Sequence, residues 1–331
     1  MKMRIIKNKN FLLSYFGVMS VLLIVPVFIE RQFSVHVLIL CVIWSIMSVG
    51  WNFIGGYAGQ VSNGHAMYFA IGAYVSGLFI MWFEMTPWIS MWIAIAISML
   101  VAYIFGLPLL RLRGHYFAIA TMALVEVTRI IFLNWKLIGG STGISYFNKK
   151  LPELYSLQFI EKKPFYYICL LFLGLTIILS KLVQTSKFGY YLRAIKANQE
   201  AAESSGVNAA KYKRWAYMIS AAVVCIAGVL YAQYIQYLDP MMLLPLSNSM
   251  LIVLAAVMGG IGTIWGPVLG AFVMISINEY ARSYFALYSG LNLVVYGILV
   301  IIIVLFLPNG LISLIKKRNV KLPKKEGGAE A

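Results

Sequence analysis

An all-α, polytopic bundle of membrane-crossing helices is the fold class this sequence predicts, on three observations. Of its 331 residues, 61% are hydrophobic and only 11% charged, against about 25% charged in a soluble domain. The mean hydropathy is +0.84, and the apolar residues gather in runs near the roughly 20 residues needed to cross a bilayer. The Lys and Arg residues, by contrast, concentrate in the tails and between the runs. That pattern is the one that orients membrane helices, so the net charge of +16 reflects topology and not nucleic-acid binding.

Taken in order, Met1–Asn10 carries Lys2, Arg4, Lys7 and Lys9 ahead of an apolar run at 11–29. The run is longer than a secretory core, and no clear small-residue cleavage site follows it, so it reads as a first span. Further spans are expected at about 35–54, 66–83, 88–110, 115–134 and 165–182, then at 215–235, 241–258, 264–280 and 290–308. That makes about ten. Eighteen of the 27 Lys and Arg fall in the segments that this count places inside, and seven in those outside, so both termini are expected in the cytoplasm. The whole chain, 1–331, reads as one transmembrane domain. It has an inner loop at 187–214, an outer loop at 135–164 and an inner tail at 309–331. The outer loop is either a solvated connection or a platform for a soluble partner. Cys41, Cys169 and Cys225 each lie in an apolar stretch without metal-ligand spacing and read as packing residues.

The inner loop is the largest of the segments placed inside. It holds Lys187, Arg193, Lys196, Lys211, Lys213 and Arg214 against Glu200 and Glu203. Ser186 is placed to cap a short helix running to about Ala197. Asn198 caps a second, with Glu200 in its first turn, where the helix dipole favours a carboxylate. Gly206 suits the left-handed position that ends a helix, and Asn208 caps a third helix that runs into the next span. Ala201 and Ala202 are small, so a partner surface can approach their backbone closely.

Two glycine-rich breaks, Gly55–His65 and Gly259–Pro267, each begin Gly-Gly after an apolar run and lead into another. Neither carries Lys or Arg. They read either as tight turns or as broken helices, which are tolerated at membrane depth where they line a cavity or are buried in protein. Gln60, Ser62, Asn63 and His65 in the first break are the candidates for lining a translocation path. Glu126 and Arg129 stand three apart on one face of the fifth span. Charges inside a span are costly unless paired or wetted, so this pair either lines the path or locks helices together.

No G-x-x-x-x-G-K-[ST] or H-E-x-x-H occurs in the chain, and His36, His65 and His115 are scattered. No catalytic residue, cofactor or metal site is expected.

Long motifs now carry a resemblance. NFIGGYAGQVSNGHAMYFAIGAYVSGLF, LRGHYFAIATMALVEVTRIIFLNWKLIGGSTGI, FGYYLRAIKANQEAAESSGVNAAKYKRWAYMIS, and MGGIGTIWGPVLGA with FLPNGL follow one another in the chain. In that order they resemble the branched-chain amino acid ABC importer permeases of the LivM type. The third contains E-A-A-x-x-x-G and resembles the loop by which such permeases dock onto their ATPases. The resemblance implies the ABC importer permease fold in a bacterial inner membrane. It implies as partners a second homologous permease, two ABC ATPase subunits and an extracytoplasmic substrate-binding protein, with ATP hydrolysed by the partners. It also makes Arg193, Glu200, Ala201, Ala202 and Gly206 the coupling-loop residues. Where the wider importer signature has I-x-L-P after the glycine, this chain reads Ile219-Ser220-Ala221-Ala222, which separates it from the maltose-type permeases. Two other functions fit the same residues: an ABC permease for urea or short amides, and a proton-coupled secondary transporter with Glu126 as proton carrier. The second of these has no use for an ATPase dock.

Overall fold

The computed structural model describes residues 9–112, 114–146, 152–285, 290, 294, 297, 298, 301, 305 and 310–313. Its helices run α1 (Lys9–Ile24), α2 (Gln32–Asn52), α3 (His65–Phe83), α4 (Pro87–Leu109) and α5 (His115–Asn134). They continue with α6 (Glu153–Ser156), α7 (Lys162–Thr185), α8 (Lys187–Ala197), α9 (Gln199–Ser204) and α10 (Ala209–Ile235). The last described are α11 (Pro240–Leu243), α12 (Leu246–Gly259) and α13 (Gly266–Tyr284). Two short strands, β1 (Ile144–Ser145) and β2 (Tyr237–Leu238), pair antiparallel with Ile144 opposite Leu238.

Among the described residues, seven segments are long and apolar enough to cross a membrane: Gln32–Tyr57, α3, α4, α5, α7, α10 and Pro240–Gly259. The remaining three of the ten expected runs have separate explanations. The first run forms α1, which is short because Pro26 follows and turns the chain into a tight 3-10 turn. The ninth forms α13, whose last turns carry Glu279 and Arg282. Most of the tenth, 290–308, lies outside the described residues, as do the basic residues at 316–325 and those before Lys9. Within the eighth run, Pro245 divides α11 from α12.

The core is built on α2, α3 and α10. The helix α2 is apolar all round, as a helix in a protein core or a membrane span is, and 72% of its span is buried by the rest of the chain. It packs against α7, α10, α12 and α13, while α10 lies closest to α3 and α4. Small residues allow the tightest of these crossings. A Cβ on Gly72 would overlap the Cys225 carbonyl, and one on Gly228 would overlap the carbonyl of Phe69, so α3 and α10 meet backbone to backbone. All three cysteines are free and buried. By contrast only 17% of the α5 span is covered by this chain.

The segment at 135–164 folds down onto the bundle. The β1–β2 pair ties it to the end of α10, Tyr237 Oη donates to the Thr142 carbonyl at 2.9 Å, and Trp88 Nε1 donates to the Leu154 carbonyl at 3.0 Å. Its own Ile138, Tyr146 and Leu157 are buried. Its described ends are thus tied to the bundle, while Leu137, Leu154 and Ile160 stay exposed. Lys149 and Lys150 lie outside the described residues.

Candidate coupling loop and translocation path

The polar loop is three helical pieces, each begun by a capping side chain. Ser186 Oγ accepts from the Gly189 amide at 3.2 Å, Asn198 Oδ1 from Ala201 at 3.1 Å, and Asn208 Oδ1 from Lys211 at 2.9 Å. These acceptors satisfy amides that a helix start leaves without partners. The helix α9 ends in a Schellman turn: the Val207 amide bonds the Ala202 carbonyl at 3.0 Å and the Gly206 amide bonds that of Glu203 at 2.9 Å. Gly206 has φ +86°, and a Cβ there would meet no atom within 4 Å. The glycine is needed for its backbone conformation, not for space.

The faces of α9 are sorted. Ala202 is buried against Ile195 and Ala209, with Val207 beside them, while Glu200 and Ala201 are exposed. The buried Lys213 of α10 donates to Gln199 Oε1 at 2.6 Å, and Gln199 Nε2 donates to Glu203 Oε1 at 2.9 Å. Arg193 lies over the Tyr190 ring at 4.5 Å and donates to the Gln184 carbonyl at 3.2 Å. The loop is thus a small folded unit resting on the ends of α7 and α10.

The first break is a buried, broken helix. The helix α2 loosens into a π-helical turn at Phe53–Tyr57, turns at Gly59 (φ +73°), and the chain then runs without helix through 58–64 before α3 begins. Its polar groups find partners inside the protein, as irregular backbone in a membrane protein must. Trp51 Nε1 donates to the Ser62 carbonyl at 2.7 Å. The Asn63 amide donates to Thr121 Oγ1 at 3.0 Å, and the Gly64 amide to Ser62 Oγ at 3.3 Å. The start of α3 lies well inside the bundle, because His65 Nε2 bonds Ser220 Oγ at 2.7 Å and Ser220 sits about 16 Å along α10. Ser220 spends its proton on the Gly50 carbonyl at 2.7 Å, so His65 Nε2 is the donor in that pair.

Of the four path candidates in this break, Ser62 and His65 are fully enclosed, Gln60 is nearly so and Asn63 is half-buried. His65 packs edge-on to Tyr68 and Tyr217. The His65 Nδ1 and the hydroxyls of Tyr68 and Tyr217 are buried without a hydrogen-bond partner among the described residues. Glu126 and Arg129 are not with them. They form a bidentate ion pair on the uncovered side of α5, with Arg129 24% and Glu126 48% exposed, and Arg129 Nη1 reaches Met241 Sδ at 3.2 Å.

Two residues outside the sequence-based set tie these parts together: Asn52 joins the two breaks and Lys196 joins α8 to the first. Asn52 Nδ2 donates to the Thr263 carbonyl and Asn52 Oδ1 accepts from the Gly262 amide, both at 2.8 Å. Lys196 Nζ donates to the Gly56 carbonyl at 2.8 Å. The signal for Asn52 was an amide inside an apolar helix. For Lys196 no local signal exists. Among the described residues no group of three His, Cys, Asp or Glu is placed to hold a metal.

Apolar helices packed around a broken one, and joined through a capped polar loop at one end, make this a multi-pass membrane permease component. The chain belongs to the family of branched-chain amino acid transport system permease components, whose model matches residues 33–304. It is 26% identical to the high-affinity branched-chain amino acid transport system permease protein LivM of Salmonella typhimurium, over 93% of this chain and 76% of that one. It is also 26% identical to LivM of Escherichia coli, over 98% and 79%. With the LivH permease protein of Salmonella typhimurium it shares 24% over 82% and 91%. No solved structure matches.

Proposed function

We propose that this chain is the LivM-type permease subunit of an ATP-driven importer for branched-chain, apolar amino acids. It is a non-catalytic subunit of a bacterial inner membrane. A second homologous permease completes the translocation path, two ABC ATPase subunits supply the energy, and an extracytoplasmic binding protein delivers the substrate. The observation that carries this is the capped loop at 186–208, which turns Glu200 and Ala201 outward while Ala202 anchors α9. A chain with no P-loop must receive its energy through a contact, and a short rigid helix with a small-residue face suits one.

The uncovered face of α5 supports the partner permease. An ion pair on an otherwise apolar helix face is unfavourable against lipid, so Glu126–Arg129 belongs against a second subunit or the path. Buried polar atoms around His65 support a path next to the first break, because unspent hydrogen-bonding capacity in a core is costly unless another state meets it. On this reading the chain crosses ten times, with both termini cytoplasmic. In favour of this, the Leu311 amide bonds the Met258 carbonyl at 2.8 Å, at the end of the bundle that also carries the coupling loop. A reporter fused after Leu314 will be cytoplasmic; a periplasmic signal there refutes the even span count. Substrate is tested by uptake of labelled leucine against labelled urea in a strain lacking the gene. Leucine uptake alone is expected to depend on it, and dependence of urea uptake instead contradicts the assignment.

A further inference from the structure

Resting on the coupling-loop reading above, we propose that Lys196 is a positioning residue that fastens the ATPase-facing loop to both glycine-rich breaks, so that α8 and the breaks move as one body. Gly56 lies in the last turn of the α2 helix, where carbonyls have no partner further along the chain. The Lys196 ammonium supplies that partner from 140 residues away, at 2.8 Å. A cation at a helix C-terminus is also favoured by the dipole. The lysine passes close under the break: a Cβ on Gly59 would stand 2.9 Å from Lys196 Cγ, so the break leaves room for this side chain.

The same turn is fixed to the second break. Asn52, one turn before Gly56, is bonded to Gly262 and Thr263. A push on α8 therefore reaches the carboxyl end of α2 through Lys196, and the start of α13 through Asn52. On the other side α9 is held to α10 by the Lys213–Gln199 bond. The loop has a separate attachment to each of the elements that flank the path, and Lys196 is the attachment to the breaks.

The test uses the complete importer in lipid vesicles, with spin labels at Lys187→Cys on α8 and Ile261→Cys in the second break, both exposed positions. With Lys196 intact, the separation of the two labels should stay the same between the nucleotide-free and ATP-bound states. In Lys196→Met it should broaden or shift on ATP. The Lys196→Met complex should still co-purify with its ATPase subunits, yet show about tenfold less uptake per ATP hydrolysed, as loss of a charge-assisted hydrogen bond warrants. Lys196→Arg should restore part of it. A label separation that changes on ATP with Lys196 present overturns the proposal, as does wild-type uptake in Lys196→Met. Should Lys196→Met fail to assemble, the distance measurement with the lysine intact decides alone. If the ATPase subunits bind not even the unaltered chain, the coupling-loop reading itself falls, and that outcome is distinct from uncoupling with binding retained.

Discussion

The Asn52 side chain bonds Gly262, 210 residues along the chain, with its Oδ1 2.8 Å from the Gly262 amide. Its other atom, Nδ2, holds the Thr263 carbonyl, so one carboxamide satisfies both a donor and an acceptor of the second break. A buried amide that serves two backbone groups is a structural tie, because removing it leaves both groups unpaired.

Asn52→Ala should therefore destabilise the folded chain by about 1–3 kcal/mol. Gly56→Ala should act at the same place, since a Cβ there would overlap Asn52 Oδ1. The double mutant should be little worse than the poorer single mutant, as expected when two changes break one interaction. Thermal unfolding of the purified protein checks this; fully additive losses would separate the two residues.

The crossing of α3 and α10 gives a sharper case. Gly228→Leu would drive a side chain into the Phe69 carbonyl, an overlap of backbone that costs more than about 4 kcal/mol. Folded yield, read by size-exclusion chromatography, should collapse. Gly17→Leu on α1, where a Cβ meets no atom within 4 Å, should leave it unchanged.

Glu126 and Arg129 are bonded to each other on an uncovered face. Glu126→Gln should lower assembly or uptake, because it strands the guanidinium, and Arg129→Gln in the same chain should recover part of the loss. Recovery of uptake to no more than the worse single mutant contradicts pairing. Uptake that survives ATP depletion but collapses with the proton gradient would favour Glu126 as a proton carrier.

The local structure of the polar loop at 186–208 was legible almost residue by residue, since its determinants are local. Ser186, Asn198 and Asn208 cap helices that begin within three residues of them, and Gly206 closes a turn whose bonds reach back only three and five residues. Seven of the expected spans were legible for the same reason, through runs of apolar residues. What sequence reading left open was depth and company. The glycines of the first break marked it, but nothing near His65 told that its partner would be Ser220 on another helix. Nor did anything near Lys196 point to Gly56. The outer loop, polar enough to read as a solvated connection, is held by the pairing of Ile144 with Leu238, a contact across the length of five helices. The pair at 126 and 129 was correctly joined from its helical spacing, while its position on the uncovered side of α5 depends on packing by every other span.

The central claim, that this permease is driven through its loop, is tested most directly by capture of the ATPase subunits. Gly206→Val forces a β-branched residue to φ +86°, which costs at least about 1–2 kcal/mol and misplaces α9. Glu200→Lys puts a cation in the first turn of α9, where the dipole disfavours it, and reverses the charge on the exposed face. Both proteins should insert in the membrane at near-normal amounts, because neither change touches a span. On affinity purification of the tagged permease, both should bring down far less ATPase subunit than the wild type, and substrate-stimulated ATP hydrolysis should fall with it. Wild-type recovery of the ATPase subunits by both mutants, with normal uptake, would make residues 186–208 a mere linker and contradict the account.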